Sequence, residues 1–182
     1  DNLKVGKDID ILIHKKDEND FIDFFQSSMF KTRPHPWRND IFLYGTDKTE
    51  VMYIRDNVLF DCNFQLIVRS LDKGQWIPLD ESIQLSAWEN KIFVTQDDGF
   101  GYWALSHDDE FITLVSRSIF DKKEFGLDYI ERIEYLLPLI DRVSVMAKLQ
   151  LILFKFSPHL LVLLDEGEYK TIVSSYLSFK EY

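Results

Sequence analysis

Asp8 and Asp10 stand one residue apart in Gly6-Lys7-Asp8-Ile9-Asp10-Ile11-Leu12-Ile13, a glycine turn that runs straight into an apolar strand. Alternation along a strand sends both carboxylates to one face and Ile9, Ile11 and Ile13 to the other. Two aspartates side by side repel, so folding alone gives no reason to place them there. A divalent cation does, because Mg²⁺ draws carboxylate and phosphate oxygens into one octahedral shell. Asp61 is a third candidate, the single charge in the apolar run Asn57-Val58-Leu59-Phe60-Asp61-Cys62-Asn63-Phe64. A lone carboxylate on a buried strand costs several kcal/mol unless it is paired or metal-bound. If the two strands are neighbours, Asp8, Asp10 and Asp61 converge on one patch. They could then share a pair of Mg²⁺ ions roughly 3.5–4 Å apart, with one carboxylate near an attacking hydroxyl. The plainer alternative makes Asp8 a turn cap and Asp10 the partner of a lysine or arginine on an exposed edge. Against it, Ile9, Ile11, Leu12 and Ile13 call for a mostly buried strand, where an unpaired aspartate is costly.

Cations that could meet phosphate oxygens are Lys7, Arg33, Arg38 and Arg117. Lys31, Arg33, His35 and Arg38 form the densest cationic cluster of the chain, which either grips an anionic substrate or is an ordinary solvated loop. Arg117 lies among Phe111, Leu114, Val115 and Ile119, and either reaches a cleft or snorkels at a helix edge; Lys148 and Lys155 carry the same ambiguity. His14, His35, His107 and His159 show no metal-ligand spacing and read as structural or exposed. Cys62 falls on the strand face opposite Asp61 and reads as a small core residue. Nucleophile-and-histidine spacing, a P-loop and a dinucleotide fingerprint are all absent from the sequence.

These residues need elements to hold them. Branched apolar content predicts a strand over residues 8–14, and Phe21, Phe24, Phe25 and Met29 fall at helical spacing within 18–30. Pro34 and Pro36 keep 31–38 out of helix, as a loop. Strands are expected over 40–45, 50–55 and 57–70, with turns at 46–48 and 56–57. An extended piece at 75–78, a brief helix at 80–88 and a strand pair at 92–95 and 100–105 follow. Ser106 then serves as an N-cap, with Asp108, Asp109 and Glu110 in the first turn where the helix dipole favours anions. Helices are expected from there to 123, then over 127–137, 140–156, 159–166 and 168–179. The pattern predicts an α+β chain: residues 1–105 a mixed or antiparallel sheet with helices, residues 106–182 all helical.

The Asp8-Ile9-Asp10 strand led by Gly6, the later Phe60-Asp61-Cys62 strand and the helical second half together resemble the nucleotidyltransferase fold of the polymerase-beta-like superfamily. The likeness is to its small bacterial members, the aminoglycoside and lincosamide nucleotidyltransferases, and covers about two thirds of the chain. It implies that Asp8 and Asp10 are metal ligands and that Asp61 is the third carboxylate, binding metal or acting as base. It also implies that the helical half walls a substrate cleft. By that resemblance the chain moves a nucleoside monophosphate from a nucleoside triphosphate to a hydroxyl on a small molecule or protein, with two Mg²⁺ ions. The family carries a Gly-Gly or Gly-Ser turn about ten residues before the paired aspartates, where it holds the triphosphate. Residues 1–7 hold no such pair, which points to a truncated start or to a catalytically silent relative serving as a binding or regulatory domain, in a toxin–antitoxin pair or a larger polypeptide. A metal-dependent phosphodiesterase or nuclease would use the same three aspartates.

Bulk composition narrows the partners. The 182 residues are 46% hydrophobic and 15% aromatic, enough for a good core. A net charge of −10 repels nucleic-acid backbones and anionic membranes, so long nucleic acids and lipid surfaces are disfavoured. Cys62 is the single cysteine, so no disulfide closes within the chain, and a reducing cytoplasmic setting is expected. The apolar stretch 143–156 is interrupted by Ser144, Lys148, Gln150 and Lys155, and reads as too short and polar to span a bilayer.

Overall fold

Phe60, Cys62 and Phe64 alternate along the chain with Leu59, Asp61 and Asn63, and a period of two is how a strand separates its faces. The computed structural model describes residues 8–34, 51–56, 58–71 and 76–180, and the protein is α+β. Strands β1 (Asp8–Leu12), β2 (Lys31–Pro34), β3 (Val51–Arg55) and β4 (Val58–Asn63) form a mixed sheet in the order β1-β4-β3-β2. The pairing of β1 with β4 is parallel and the other two pairings are antiparallel. Helix α1 (Glu18–Ser27) covers one face, where Ile13, Phe25, Tyr53, Cys62 and Phe64 are buried and Ile11, Phe21, Phe30 and Phe60 pack against them. The Phe25 ring lies 4.3 Å from that of Tyr53 and 4.4 Å from that of Phe30. Met29, at φ 59°, ends the helix short of residue 30.

Three expectations change here. Residues 31–34 are strand rather than loop: a proline pushes its predecessor to extended backbone, and Pro34 sits at the last position of β2. Residues 57–70 are not one strand, since the chain bends after Asn63 and resumes as β5 (Ile67–Arg69). And β1 is not mostly buried, because it is the last strand of the sheet as described; Asp8, Ile9 and Asp10 are all exposed. The strand expected over 40–45 lies outside the described residues.

Beyond β6 (Trp76–Pro78) come helix α2 (Glu81–Glu89), a hairpin of β7 (Ile92–Thr95) and β8 (Gly101–Ala104), and the helices α3 (His107–Arg117), α4 (Leu127–Leu136), α5 (Arg142–Leu153), α6 (Ser157–Asp165) and α7 (Tyr169–Ser178). Asp80, Ser106 and Asp141 cap α2, α3 and α5 with side-chain oxygens, as short polar residues do at helix starts. A π-helical turn, Ser118–Lys122, extends α3. Pro158 is not merely a stop: it lies in the first turn of α6, where its missing N–H leaves no bond unmade. The break falls earlier, at Phe154, whose φ is 49°. By length and composition Arg142–Asp165 is apolar enough to cross a membrane, a longer stretch than 143–156. It is two helices joined by a short 3-10 turn, with Val145, Leu149, Leu153, Phe156, Leu160 and Leu164 buried in the helical core.

The chain divides into two compact units, Asp1–Ile67 with Asp72–Pro78, and Val68–Leu71 with Leu79–Tyr182. The division falls at Leu79, earlier than the expected boundary at Ser106. The reason lies in α2, whose Ile83 is fully buried and whose Ser86 bonds Asp109 of α3.

Candidate functional site

Asp10 and Asp61 are register partners across the parallel β1–β4 ladder, while Asp8 stands opposite Leu59. Neighbouring strands lie about 4.8 Å apart, so the two carboxylates leave adjacent backbones side by side. Asp8 is set back along β1 by two residues, roughly 6.6 Å. Alternation gives Asp8, Asp10, Leu12, Leu59, Asp61 and Asn63 one face of this strand pair. The opposite face carries Ile11, Ile13, Phe60, Cys62 and Phe64 into the aromatic core under α1. The core thus fixes where the carboxylates point: a one-residue slip of β1 would bury Asp10 among the phenylalanines. Asp61 is half-buried on the inner strand, whereas Asp8 and Asp10 are exposed at the edge.

Asn63 joins this face without having been picked out by the sequence reading. Its Oδ1 is buried and has no hydrogen-bond partner among the described residues. The signal was its position two residues after Asp61, which alternation places on the same face.

Among the described residues, no three His, Cys, Asp or Glu side chains gather closely enough to hold a metal ion by themselves. The carboxylates therefore form a pair with a neighbour rather than a closed triad. That donor set still fits one hard cation, because Mg²⁺ is commonly held by one or two carboxylates and takes its other oxygens from water and phosphate.

The candidate phosphate-binding cations fare differently. Lys7 and Arg38, with His35, lie outside the described residues. Arg33 is on β2, opposite Met52 in register. Arg117 belongs to the second compact unit, where its Nε stands 3.5 Å from Asp121 Oδ2. Asp121 also accepts from the Arg69 backbone N–H at 2.6 Å, and burial still pushes its carboxyl above the usual range. Lys148 is engaged as well: its Nζ donates to Asp109 Oδ1 and to Ser86 Oγ, both at 2.7 Å. His14 accepts from Lys16 N–H at 3.4 Å, a capping role at the short 3-10 turn before α1. Cys62 is fully buried on the core face, as expected.

Comparison with family models, with curated proteins and with solved structures finds no match to this chain.

Proposed function

We propose that the chain is a metal-dependent nucleotidyltransferase, with Asp10 and Asp61 holding Mg²⁺ bound to a nucleoside triphosphate. The observation that carries this reading is the parallel register that sets Asp10 beside Asp61, with Asp8 and Asn63 on the same face. When bound, Mg²⁺ would neutralise charge on the phosphate oxygens. Through that cation Asp10 would orient the triphosphate from the sheet edge. Asp61, half-buried on the inner strand, takes the proton of the acceptor hydroxyl while that hydroxyl's oxygen bonds the α-phosphorus and the bond to pyrophosphate breaks. Asp8, on the same face, would be the ligand for a second Mg²⁺ arriving with the substrate. Lys7, Arg33 and Arg38 are the cations left for the phosphates, since Asp121 engages Arg117. The acceptor is a hydroxyl on a small molecule or protein, in keeping with the net charge of −10.

A second reading is a silent nucleotidyltransferase-like domain that binds nucleotide without turnover. The exposure of Asp8 and Asp10 on a strand at the edge of the sheet as described favours it. Calorimetric titration of Mg·ATP into wild type and Asp10→Asn tests both. We expect the substitution to weaken binding by about tenfold or more, and equal affinities would remove both readings. Pyrophosphate release in the presence of hydroxyl acceptors then separates enzyme from silent domain.

A further inference from the structure

The β7–β8 hairpin carries more exposed aromatic surface than its own fold requires. Phe93 and Trp103 are cross-strand partners with rings 5.1 Å apart, and they remain 57% and 61% exposed; Phe100 at the turn is 59% exposed. Ile92 and Thr95 are exposed too, so β7 presents an apolar strand to solvent. Among the described residues β7 pairs with β8 alone, and an edge open in this way is a template for another strand.

The charges flanking β7 select the occupant. The run Lys91-Ile92-Phe93-Val94-Thr95-Gln96-Asp97 bears a cation at one end, an anion at the other and no charge between. Asp97 and Asp98 both belong to the turn that Gly99 N–H closes on Gln96 O; Asp98 accepts from Phe100 N–H at 2.9 Å, whereas the Asp97 side chain is exposed beside the end of β7. Lys91 donates to Trp88 O at 2.9 Å, which uses one of its three N–H donors. The outer edge of β8, from Phe100 to Ala104, has no charge at all.

We propose that β7 pairs antiparallel with β7 of a second copy of this chain, with the dyad through Val94. In that register Lys91 meets Asp97 of the second copy, Phe93 meets its Thr95, and the same contacts recur on the other side of the dyad, as a two-fold interface demands. Two hairpins become one four-stranded sheet, and the Phe93–Trp103 rings of both copies fall on a common face. The β7 charges complement only a copy run in the opposite direction. An acidic chain also disfavours nucleic acid or a lipid surface as the occupant.

Sedimentation of the 182-residue chain over a dilution series tests the proposal. We expect a dimer that dissociates on dilution and weakens with salt. Lys91→Asp and Asp97→Lys should each weaken it by about tenfold or more, because each sets like charges against one another at both ends of the seam. The double variant restores opposite charges and should recover most of the loss. Thr95→Lys, on an exposed position of β7, serves should either single variant misfold, and is expected to abolish the dimer by setting a charge against Phe93. A chain that stays monomeric throughout overturns the proposal. So does a dimer indifferent to these variants, as would form through the exposed Val143 and Leu151 of α5, or a double variant no better than the singles.

Discussion

Tyr169, at the start of α7, shows how burial decides a single residue's chemistry. Its side chain is buried in the helical unit, and desolvation, followed by the repulsion of the nearby Glu134 carboxylate, pushes its phenol from 10 up to about 12. The folded state therefore keeps the proton where the unfolded chain gives it up. Below pH 10 this contribution to stability is whole; between about 10 and 12 it is lost, because the unfolded chain ionises first. Ultraviolet titration of the native protein should resolve one tyrosine near 12, behind others among the eight in the chain. A single transition near 10 for all of them would contradict the burial argument. Tyr53 is raised by burial in the same direction under α1.

At the scale of elements, α2, α3 and α5 are tied by one polar cluster. Asp109 is fully buried, Ser106 Oγ donates to its Oδ2 at 2.7 Å, Ser86 Oγ donates to it at 3.0 Å, and Lys148 closes the cluster. Replacing Lys148 by Met would strand a buried carboxylate, and the expected loss is about 3–5 kcal/mol in urea unfolding. Lys148→Met with Asp109→Leu removes both charges and should regain most of that loss; a double variant as unstable as the single would show that packing, not charge, holds the three helices. The sequence made half of this legible. Ser106 before three acidic residues announces a helix start, as does Asp80, because caps are local chemistry. That Asp109 turns inward to Lys148, 39 residues later, is a matter of packing that no local spacing records. The same holds for Phe154: nothing in an apolar run marks the residue that takes φ 49°. In the run 57–70 the turn-prone Asn63 does stand just before the bend, but the apolar Phe64, Leu66, Ile67 and Val68 that follow continue the strand pattern and mask it.

For the molecule as a whole, the pairing of β1 with β4 was legible only as a conditional. Alternation fixed which face each aspartate takes, but not that two strands about fifty residues apart lie parallel and in register, since that depends on long-range closure. The compact units divide at Leu79 rather than at Ser106 for a related reason: the shift from strand to helical period marks a change of element type, whereas the units follow burial. Burial is uneven between them. Among the described residues, the largest fully buried side chains, such as Phe111, Ile112, Leu149, Phe156 and Leu160, all belong to the unit that includes Leu79–Tyr182. In the other unit β1 runs exposed along the edge of its sheet. Local opening costs least where few apolar contacts are lost, so amides of β1 should exchange through small fluctuations, and those of α3, α5 and α6 only through opening of their core. Hydrogen exchange followed by mass spectrometry should therefore show residues 8–12 exchanging orders of magnitude faster than 111–116 or 145–153. Addition of Mg·ATP should slow 8–12 selectively, since a cation held between Asp10 and Asp61 clamps the edge strand to its neighbour. Equal protection of the strand and the helices without ligand would refute the burial argument. Protection unchanged by Mg·ATP would count against a nucleotide site on that edge.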